Sequence, residues 1–214
     1  MTRFILVRHG ETLWNQQRRM QGQSDSPLSE TGVRQARQLA QRLKQIDFGA
    51  LYSSDSGRAH CTARCVADAT GHDIVLEPRL RERHFGVFEG LTGGEIQASY
   101  PDDYARFNSR DPEYVVPGGE SAQQFRTRAL GCLGELALRH AGAVLVVITH
   151  GLVLDMAYRA AHGIALTAPR TFNLINASLN RFRFDGATWH AETLGDASHL
   201  DEGSRTSARS TDAQ

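Results

Sequence analysis

The stretch FILVRHG, residues 4–10, joins an apolar run to the polar triplet Arg8-His9-Gly10. A short run that is apolar at every position is typical of a strand buried on both faces, as in a parallel sheet covered by helices. The stretch AVLVVITHG, residues 143–151, repeats the arrangement and also ends in His-Gly. Both stretches therefore predict a buried strand with a histidine at its carboxyl end.

Ligands of open α/β sheets bind outside the carboxyl ends of the strands, where the strand order reverses. We therefore expect His9 and His150 to face each other across one crevice. Either histidine alone is equally compatible with a structural role, in which a ring N–H caps a strand. The matched pair, with Arg8 adjacent, favours a functional role.

The rest of the chain alternates between helical and extended patterns. Helices are predicted at about 30–46, 57–69, 92–99, 121–141 and 153–162, and further strands at 50–53, 74–76, 172–184 and 188–194. This order predicts one α/β domain over residues 1–203, with a mostly parallel central sheet flanked by helices and an antiparallel hairpin at its edge. Residues 204–214 offer nothing to bury and are expected to form a flexible tail.

Composition excludes several classes of partner and location. The 24 Lys and Arg residues balance 24 Asp and Glu, which removes the electrostatic case for nucleic acid or an anionic membrane. Three cysteines imply no disulfide framework and favour a reducing compartment. The first residues contain only a four-residue apolar run, so neither export nor membrane insertion is expected. We therefore expect a cytoplasmic location.

Other catalytic signatures are missing from the sequence. None of the nine histidines has His-Glu-x-x-His spacing, so no metal and no cofactor is expected. Cys61 and Cys65 are predicted to be small core residues. There is no Walker A loop and no Gly-x-Ser-x-Gly elbow, which excludes the usual P-loop and serine hydrolase patterns.

Arginine is the second feature of the expected crevice. Arg8 precedes His9, and Arg58 lies near the start of the helix after the 50–53 strand. Arginines and histidines converging at one point need an anion between them, and a guanidinium matches phosphate oxygens with two parallel hydrogen bonds. These residues predict a phosphate site.

Together these stretches resemble the histidine phosphatase superfamily, which includes the cofactor-dependent phosphoglycerate mutases. The similarity runs from about residue 4 to 155, and its motifs occur in the family's order. They are LVRHGET (6–12), Asn15, QG (21–22), PLS (27–29), Gly32, SSDSGRA (53–59), TA (62–63), LRE (80–82), Gly86, EG (89–90), PGGES (117–121) and THG (149–151). The resemblance implies a three-layer, phosphoglycerate mutase-like α/β sandwich.

The resemblance also implies a role for each matching residue. His9 resembles the nucleophile that forms a phosphohistidine, and Glu82 resembles the general acid that protonates the leaving oxygen. Arg8, Arg58 and His150 resemble the pocket that holds the phosphoryl oxygens. Asn15, Gln21, Gly22 and Gly151 resemble further contacts to phosphate or substrate.

Without the resemblance, a glutamate between Arg81 and Arg83 is typical of a surface ion pair, and a non-catalytic phosphate-binding module stays open. Within the family, the short segment 91–119 favours a phosphatase, whereas ERHFG (82–86) is close to the mutase phrase. We therefore expect hydrolysis of a small phosphomonoester, with a mutase as the alternative. Edge strands between 172 and 194 could pair with a second copy of the chain, and a monomer is equally open.

Overall fold

The computed structural model describes residues 1–205 and the short strand at 207–208. In chain order the strands are β1 (Thr2–Arg8), β2 (Ala50–Ser53), β3 (Ile74–Leu76), β4 (Val144–Thr149), β5 (Leu174–Ile175), β6 (Leu179–Phe184), β7 (Trp189–Asp196) and β8 (Ser207–Ala208). The helices are α1 (Leu13–Gln17), α2 (Glu30–Leu43), α3 (Gly57–Thr70), α4 (Gly93–Ser99), α5 (Pro101–Asn108), α6 (Ala122–Arg139) and α7 (Gly151–His162). Short 3₁₀ turns cover Pro78–Leu80, Gly86–Phe88 and Glu202–Ser204.

The central sheet has six strands in the order β3-β2-β4-β1-β6-β7. The pairs β3-β2, β2-β4 and β4-β1 are parallel, whereas β1-β6 and β6-β7 are antiparallel. The two apolar stretches are therefore neighbours: β1 and β4 lie side by side in the middle of the sheet, with Arg8 opposite Thr149.

Alternate residues of the central strands face opposite layers of helices. On one face, Phe4 and Leu6 of β1 join a buried cluster with Phe125 and Leu133 of α6 and with residues of α7. On the other face, the intervening residues of β1 pack with the apolar sides of α2 and α3. This alternation follows from the two-residue period of a strand. The predicted three-layer α/β architecture is confirmed.

A third, smaller cluster lies beside the carboxyl edge of the sheet. Its buried members are Met20, Phe85, Phe88, Ile96, Tyr114 and Val116. Thr92 and Glu95 form the predicted capping box at the start of α4. We call residues 83–119, which contribute most of this cluster, the cap segment.

The strand predicted at 172–184 is interrupted. The backbone of Ala177 has φ of +55°, and its N–H donates to the carbonyl oxygen of Arg8 at 2.9 Å. An extended run cannot pass through this left-handed conformation, so β5 separates from β6. The apolar pattern alone could not reveal the break.

The predicted tail differs from the structure at its beginning. Ser204 is buried, and its carbonyl oxygen accepts a hydrogen bond from the Gln35 side chain at 2.7 Å. Farther along, β8 pairs with β5 in an antiparallel ladder. The composition offered no apolar signal because backbone hydrogen bonds hold these residues. Residues 206 and 209–214 of the predicted tail lie outside the described residues.

Smaller differences concern helix ends and cysteines. Helix α2 ends at Leu43 rather than near residue 46, and α7 begins at Gly151 rather than at Val153. Cys61 is exposed, which corrects its predicted core position, whereas Cys65 is half-buried. Among the described residues, none of the helices combines the length and hydropathy that crossing a bilayer requires.

Candidate active site

Three neighbouring strands end at the same edge of the sheet. His9 follows β1, Ser54 follows β2 and His150 follows β4. The backbone N–H of His9 donates to the carbonyl oxygen of Thr149, and that of Ser54 to the carbonyl oxygen of Ile148, both at 2.9 Å. With the strand ends held side by side, the ring centroids of His9 and His150 are 5.3 Å apart. The structure thus brings the two predicted histidines together.

Arg58 connects the two histidines. Its guanidinium is buried, with Nε 3.2 Å from His9 Nε2 and Nη2 3.2 Å from His150 Nδ1. The same side chain donates to the carbonyl oxygen of Gly22 at 2.7 Å and to Asp25 Oδ1 at 2.9 Å. Its position in the first turn of α3 and these partners fix the guanidinium beside both rings.

The partners of His9 define its tautomer. Nδ1 lies 2.7 Å from the carbonyl oxygen of Gly10, which can only accept a hydrogen bond, so Nδ1 carries the proton. Nε2 faces the Nε–H of Arg58, which can only donate, so Nε2 is the bare nitrogen. Burial first, then the charges of Arg58 and Arg8, lower the pKa of His9 well below its usual value. His9 is therefore neutral, with an unprotonated nitrogen available for attack on an electrophile.

His150 has the opposite tautomer by the same reasoning. Its Nδ1 accepts from Arg58, so its Nε2–H donates, and Nε2 lies 2.8 Å from Ser54 Oγ and 3.1 Å from Ser56 Oγ. Burial, followed by the charge of Arg58, lowers the pKa of His150. Two serines after β2 thus fix the orientation of the second histidine.

Glu82 is half-buried and lines the same cavity. Oε1 accepts from the backbone N–H of Arg83 at 2.9 Å, and Oε2 from that of Leu152 at 3.1 Å. Burial raises the pKa of Glu82, against the smaller lowering effect of these hydrogen bonds and of nearby arginines. A carboxyl group that retains its proton at a higher pH than usual can act as a general acid.

Arg8, the last residue of β1, is held by contacts with β5 and with the start of α7. Its Nη1 donates to the carbonyl oxygen of Leu174 at 2.9 Å, and the side chain is buried. A Cβ at Gly151 would lie 3.5 Å from Arg8 Nε and 3.1 Å from the Leu174 side chain. The glycine after His150 therefore lets Arg8 pack closely against the start of α7.

The loop after β1 supplies the remaining predicted residues. Asn15 accepts from the Thr12 backbone N–H at 3.1 Å as part of a capping box. Gln21 is buried and lines the cavity. Gly22 has φ of +55°, and a Cβ there would lie 2.1 Å from Glu89 Oε1, so only glycine fits. In the structure the Gly22 carbonyl oxygen accepts a hydrogen bond from Arg58, so Gly22 fixes the position of that arginine.

Several residues that support this site carry no signal in the sequence that assigns them a role. Besides Ser54, Ser56 and Asp25, they include Glu89, whose carboxylate accepts from the backbone N–H groups of Gln23, Ser24 and Phe85. Asn176 donates to the carbonyl oxygen of His9 at 2.9 Å. The serines after β2 belong to a family motif and could have been found as strand-end residues, whereas no local pattern marks Asn176.

The cavity combines groups with complementary chemistry. Its lining consists of Arg8, His9, Asn15, Met20, Gln21, Gly22, Arg58, Glu82, Phe85 and Leu152. Two guanidinium groups favour a phosphoryl dianion, a neutral imidazole offers a nucleophile, and a carboxyl group with a raised pKa offers a proton. Within the part of the chain that the structure describes, no group of three or more metal-ligating side chains is clustered.

Comparisons with known proteins agree with this arrangement. The family model of the histidine phosphatase superfamily (branch 1) matches residues 4–197. The chain is 37% identical over 206 residues to the probable phosphoglycerate mutase GpmB of Cronobacter sakazakii, covering 94% of this chain and 96% of that protein.

Two solved structures are similar across nearly the whole chain. The structure of Bacillus stearothermophilus YhfR has a TM-score of 0.85 and 36% identity, covering 94% of this chain and all of that one. The mycobacterial glucosyl-3-phosphoglycerate phosphatase in complex with VO3 has a TM-score of 0.79 and 30% identity, covering 91% and 99%. The resemblance predicted from the motifs is confirmed: the chain belongs to the histidine phosphatase superfamily, branch 1.

Proposed function

We propose that this protein hydrolyses a small phosphomonoester in two steps through a phosphohistidine at His9. The observation that carries the proposal is the cavity in which the bare Nε2 of His9, two arginines and the carboxyl group of Glu82 meet. The neutral tautomer of His9 and the raised pKa of Glu82 support this assignment.

In the first step, His9 Nε2 attacks phosphorus and the P–O bond of the ester breaks. The Glu82 carboxyl group gives its proton to the leaving oxygen. Arg8 and Arg58 hold the phosphoryl oxygens, which carry the charge of the transition state, and His150 positions the Arg58 guanidinium through its Nδ1. The alcohol then departs and leaves a phosphohistidine with Glu82 ionised.

In the second step, the Glu82 carboxylate takes a proton from water as the water oxygen attacks phosphorus. The P–N bond breaks, inorganic phosphate forms, and Glu82 is protonated again. His9 returns to its neutral tautomer, in which Nδ1–H donates to Gly10. The roles of acid and base thus alternate at one carboxyl group.

A phosphoglycerate mutase is the second candidate, and the similarity to GpmB favours it. A mutase must keep water from the phosphohistidine until the phosphoryl group returns to a second hydroxyl. In this chain the cap segment forms two short helices, α4 and α5, with side chains packed on their own apolar cluster. Because this leaves little chain to close over His9, we favour hydrolysis.

The deciding experiment incubates the protein with 3-phosphoglycerate and follows 2-phosphoglycerate and free phosphate separately. Phosphate release in excess of isomer formation supports the phosphatase. Rapid isomer formation with negligible phosphate release would make the protein a mutase. Failure to turn over this ester and a panel of other phosphomonoesters would leave a phosphate-binding module.

Two further measurements test the chemistry. Because arginine and histidine side chains provide the positive charge, we expect activity to persist in chelator. Vanadate should inhibit, since it adopts the five-coordinate geometry that the site stabilises. The similar mycobacterial phosphatase has been solved with VO3, which supports this expectation.

A further inference from the structure

Glu82 lies in chain without regular secondary structure. Residues 81–85 belong to neither a helix nor a strand. Their backbone groups therefore lack the repeating partners of a helix or a ladder and must bind to other parts of the molecule. Position matters here, because a displacement of about 1 Å at a reacting group can lower a rate by on the order of 100-fold. The contacts that hold the backbone of Glu82 therefore bear on its proposed role as an acid.

Arg128 of helix α6 binds the chain that leads to Glu82. Its Nη1 donates to the carbonyl oxygen of Arg79 at 2.8 Å and to that of Arg81 at 3.0 Å. Its Nη2 donates to the carbonyl oxygen of Glu82 at 3.1 Å. One guanidinium group thus binds three carbonyl oxygens within residues 79–82.

Glu120 orients this guanidinium group. Its Oε1 accepts from Arg128 Nη2, and its Oε2 accepts from Arg128 Nε at 3.3 Å. With the three carbonyl oxygens, these acceptors match all five N–H donors that an arginine side chain has. The two side chains are only 22% and 17% exposed, so salt and water screen this ion pair less than one at the surface.

Glu120 also binds the chain that follows Glu82. Its Oε1 accepts from the backbone N–H of His84 at 2.9 Å, and its own backbone N–H donates to the carbonyl oxygen of His84 at 3.0 Å. Its carbonyl oxygen accepts from Arg83 Nε, also at 3.0 Å. The backbone is thus held on both sides of Glu82, whose side chain extends to the backbone N–H of Leu152.

Helix α6 is a firm support for Arg128. The helix has 18 residues, and its buried side chains include Phe125 and Leu133. These two residues belong to the core cluster that also contains Phe4 of β1. The guanidinium group of Arg128 lies over the Phe125 ring, 5.1 Å from its centroid. Arg128 therefore connects the irregular chain around Glu82 to the core that carries β1.

We propose that Arg128, oriented by Glu120, is a positioning residue that holds the Glu82 carboxyl group at the leaving oxygen. Arg128 does not line the cavity around His9, so it acts through the backbone of Glu82 rather than on the substrate. The proposal rests on the proposed function, because that function makes Glu82 the acid. Loss of Arg128 should therefore impair protonation of the leaving oxygen and spare the attack by His9.

The test compares two kinds of ester in the variant Arg128→Gln. The readout is kcat/KM, which covers the steps up to departure of the alcohol. For the alkyl phosphate that the wild type hydrolyses best, we expect kcat/KM to fall about 10- to 100-fold. For p-nitrophenyl phosphate we expect a fall of less than about threefold, because a nitrophenolate ion leaves without a proton. The control Arg139→Gln removes an exposed arginine in the last turn of the same helix and should retain wild-type values for both esters.

A double variant distinguishes positioning of Glu82 from a general structural role. If Arg128 acts through Glu82, adding Arg128→Gln to Glu82→Gln should lower kcat/KM for the alkyl phosphate by less than about threefold more. Glu120→Gln, which keeps one acceptor oxygen, should show the same dependence on the ester with a smaller loss of about 3- to 10-fold. This variant also tests the proposal where Arg128→Gln folds poorly.

The outcomes separate this proposal from the proposed function. Equal losses for the two esters in Arg128→Gln and Glu120→Gln would overturn the positioning role while hydrolysis stands. Losses that multiply in the double variant would overturn it as well, because Arg128 would then act independently of Glu82. Absence of turnover of every ester by the wild type would overturn the proposed function, and the positioning role with it.

Discussion

A backbone hydrogen bond to the neighbouring strand holds His9, and His150 directly follows β4. Glu82, in contrast, lies in irregular chain between the 3₁₀ turns at Pro78–Leu80 and Gly86–Phe88. We call residues 8–10, 53–58 and 149–151 the strand-end region and compare it with the cap segment. The strand-end region lies at the ends of β1, β2 and β4, whose relative positions are fixed by strand pairing. The cap segment depends on its own apolar cluster and on a few close backbone contacts.

The two regions therefore serve different parts of the proposed reaction. The strand-end region handles the phosphoryl group, which is the same in every phosphomonoester, so a rigid scaffold suits it. The cap segment adjoins the leaving group, which differs among substrates. Changes in the strand-end region should therefore affect all esters alike, and changes at Glu82 or in the cap segment should depend on the ester.

The largest effect is expected from His9→Ala in the strand-end region. Removing the nucleophile should lower kcat by about 10⁴-fold or more for every ester. Phosphate label that survives alkali and is lost in acid should appear on the wild type and be absent from this variant. The control His162→Ala removes an exposed imidazole at the end of α7 and should label normally. Label that persists in His9→Ala would exclude His9 as the nucleophile.

Glu82→Gln should separate the esters by leaving group. An alkyl phosphate leaves as a basic alkoxide and needs a proton, so its kcat should fall by about 10²- to 10⁴-fold. A p-nitrophenolate ion is stable without a proton, so its first step should fall much less. The control Glu135→Gln alters an exposed carboxylate paired with Arg79. Equal losses for both esters would assign Glu82 to binding or structure.

The pH dependence should reflect both regions at once. Because burial lowers the pKa of His9, its imidazole stays neutral at pH 6.5, and activity falls only as the pH drops well below that value. Because burial raises the pKa of Glu82 above 4.5, its carboxyl group stays protonated above that pH and ionises as the pH rises further. For an alkyl phosphate we expect an optimum on the acidic side.

The measurement is kcat/KM between about pH 4 and pH 9, with losses approaching tenfold per pH unit outside the optimum. In Glu82→Gln, the part of the decline in kcat/KM at alkaline pH that ionisation of Glu82 causes should be absent. A profile of the variant that keeps the wild-type shape would mean that another group is responsible.

The same comparison explains how much could be predicted from the sequence. In the strand-end region, apolar runs followed by His-Gly predicted both strands and their convergence, because parallel strands carry such residues to one edge. The helix start after the 50–53 strand added Arg58, and the family motifs added Glu82, whose approach no local periodicity indicates. In the C-terminal part, the left-handed backbone of Ala177 and the burial of Ser204 depend on tertiary hydrogen bonds. Amino-acid composition does not reveal such bonds.

The smallest effects concern stability, and two glycines of the cap segment make a matched pair. Gly86 has φ of +52°, and a Cβ there would lie 2.0 Å from the carbonyl oxygen of Pro117. A Cβ at Gly94, in α4, would have no neighbouring atom within 4 Å. The two positions therefore differ in both backbone conformation and space.

Gly86→Ala should lower the free energy of unfolding by about 2–4 kcal/mol, since it combines a left-handed alanine with overpacking against backbone. Gly94→Ala should raise it by about 0.5–1 kcal/mol, because alanine loses less backbone entropy in a helix. Urea unfolding of the two variants measures both. Because Gly86 lies four residues after Glu82, its variant should also impair alkyl phosphates more than p-nitrophenyl phosphate. A Gly86→Ala protein as stable as the wild type would mean that the cap segment can move relative to the strand-end region, and the contrast between the two regions would then fail.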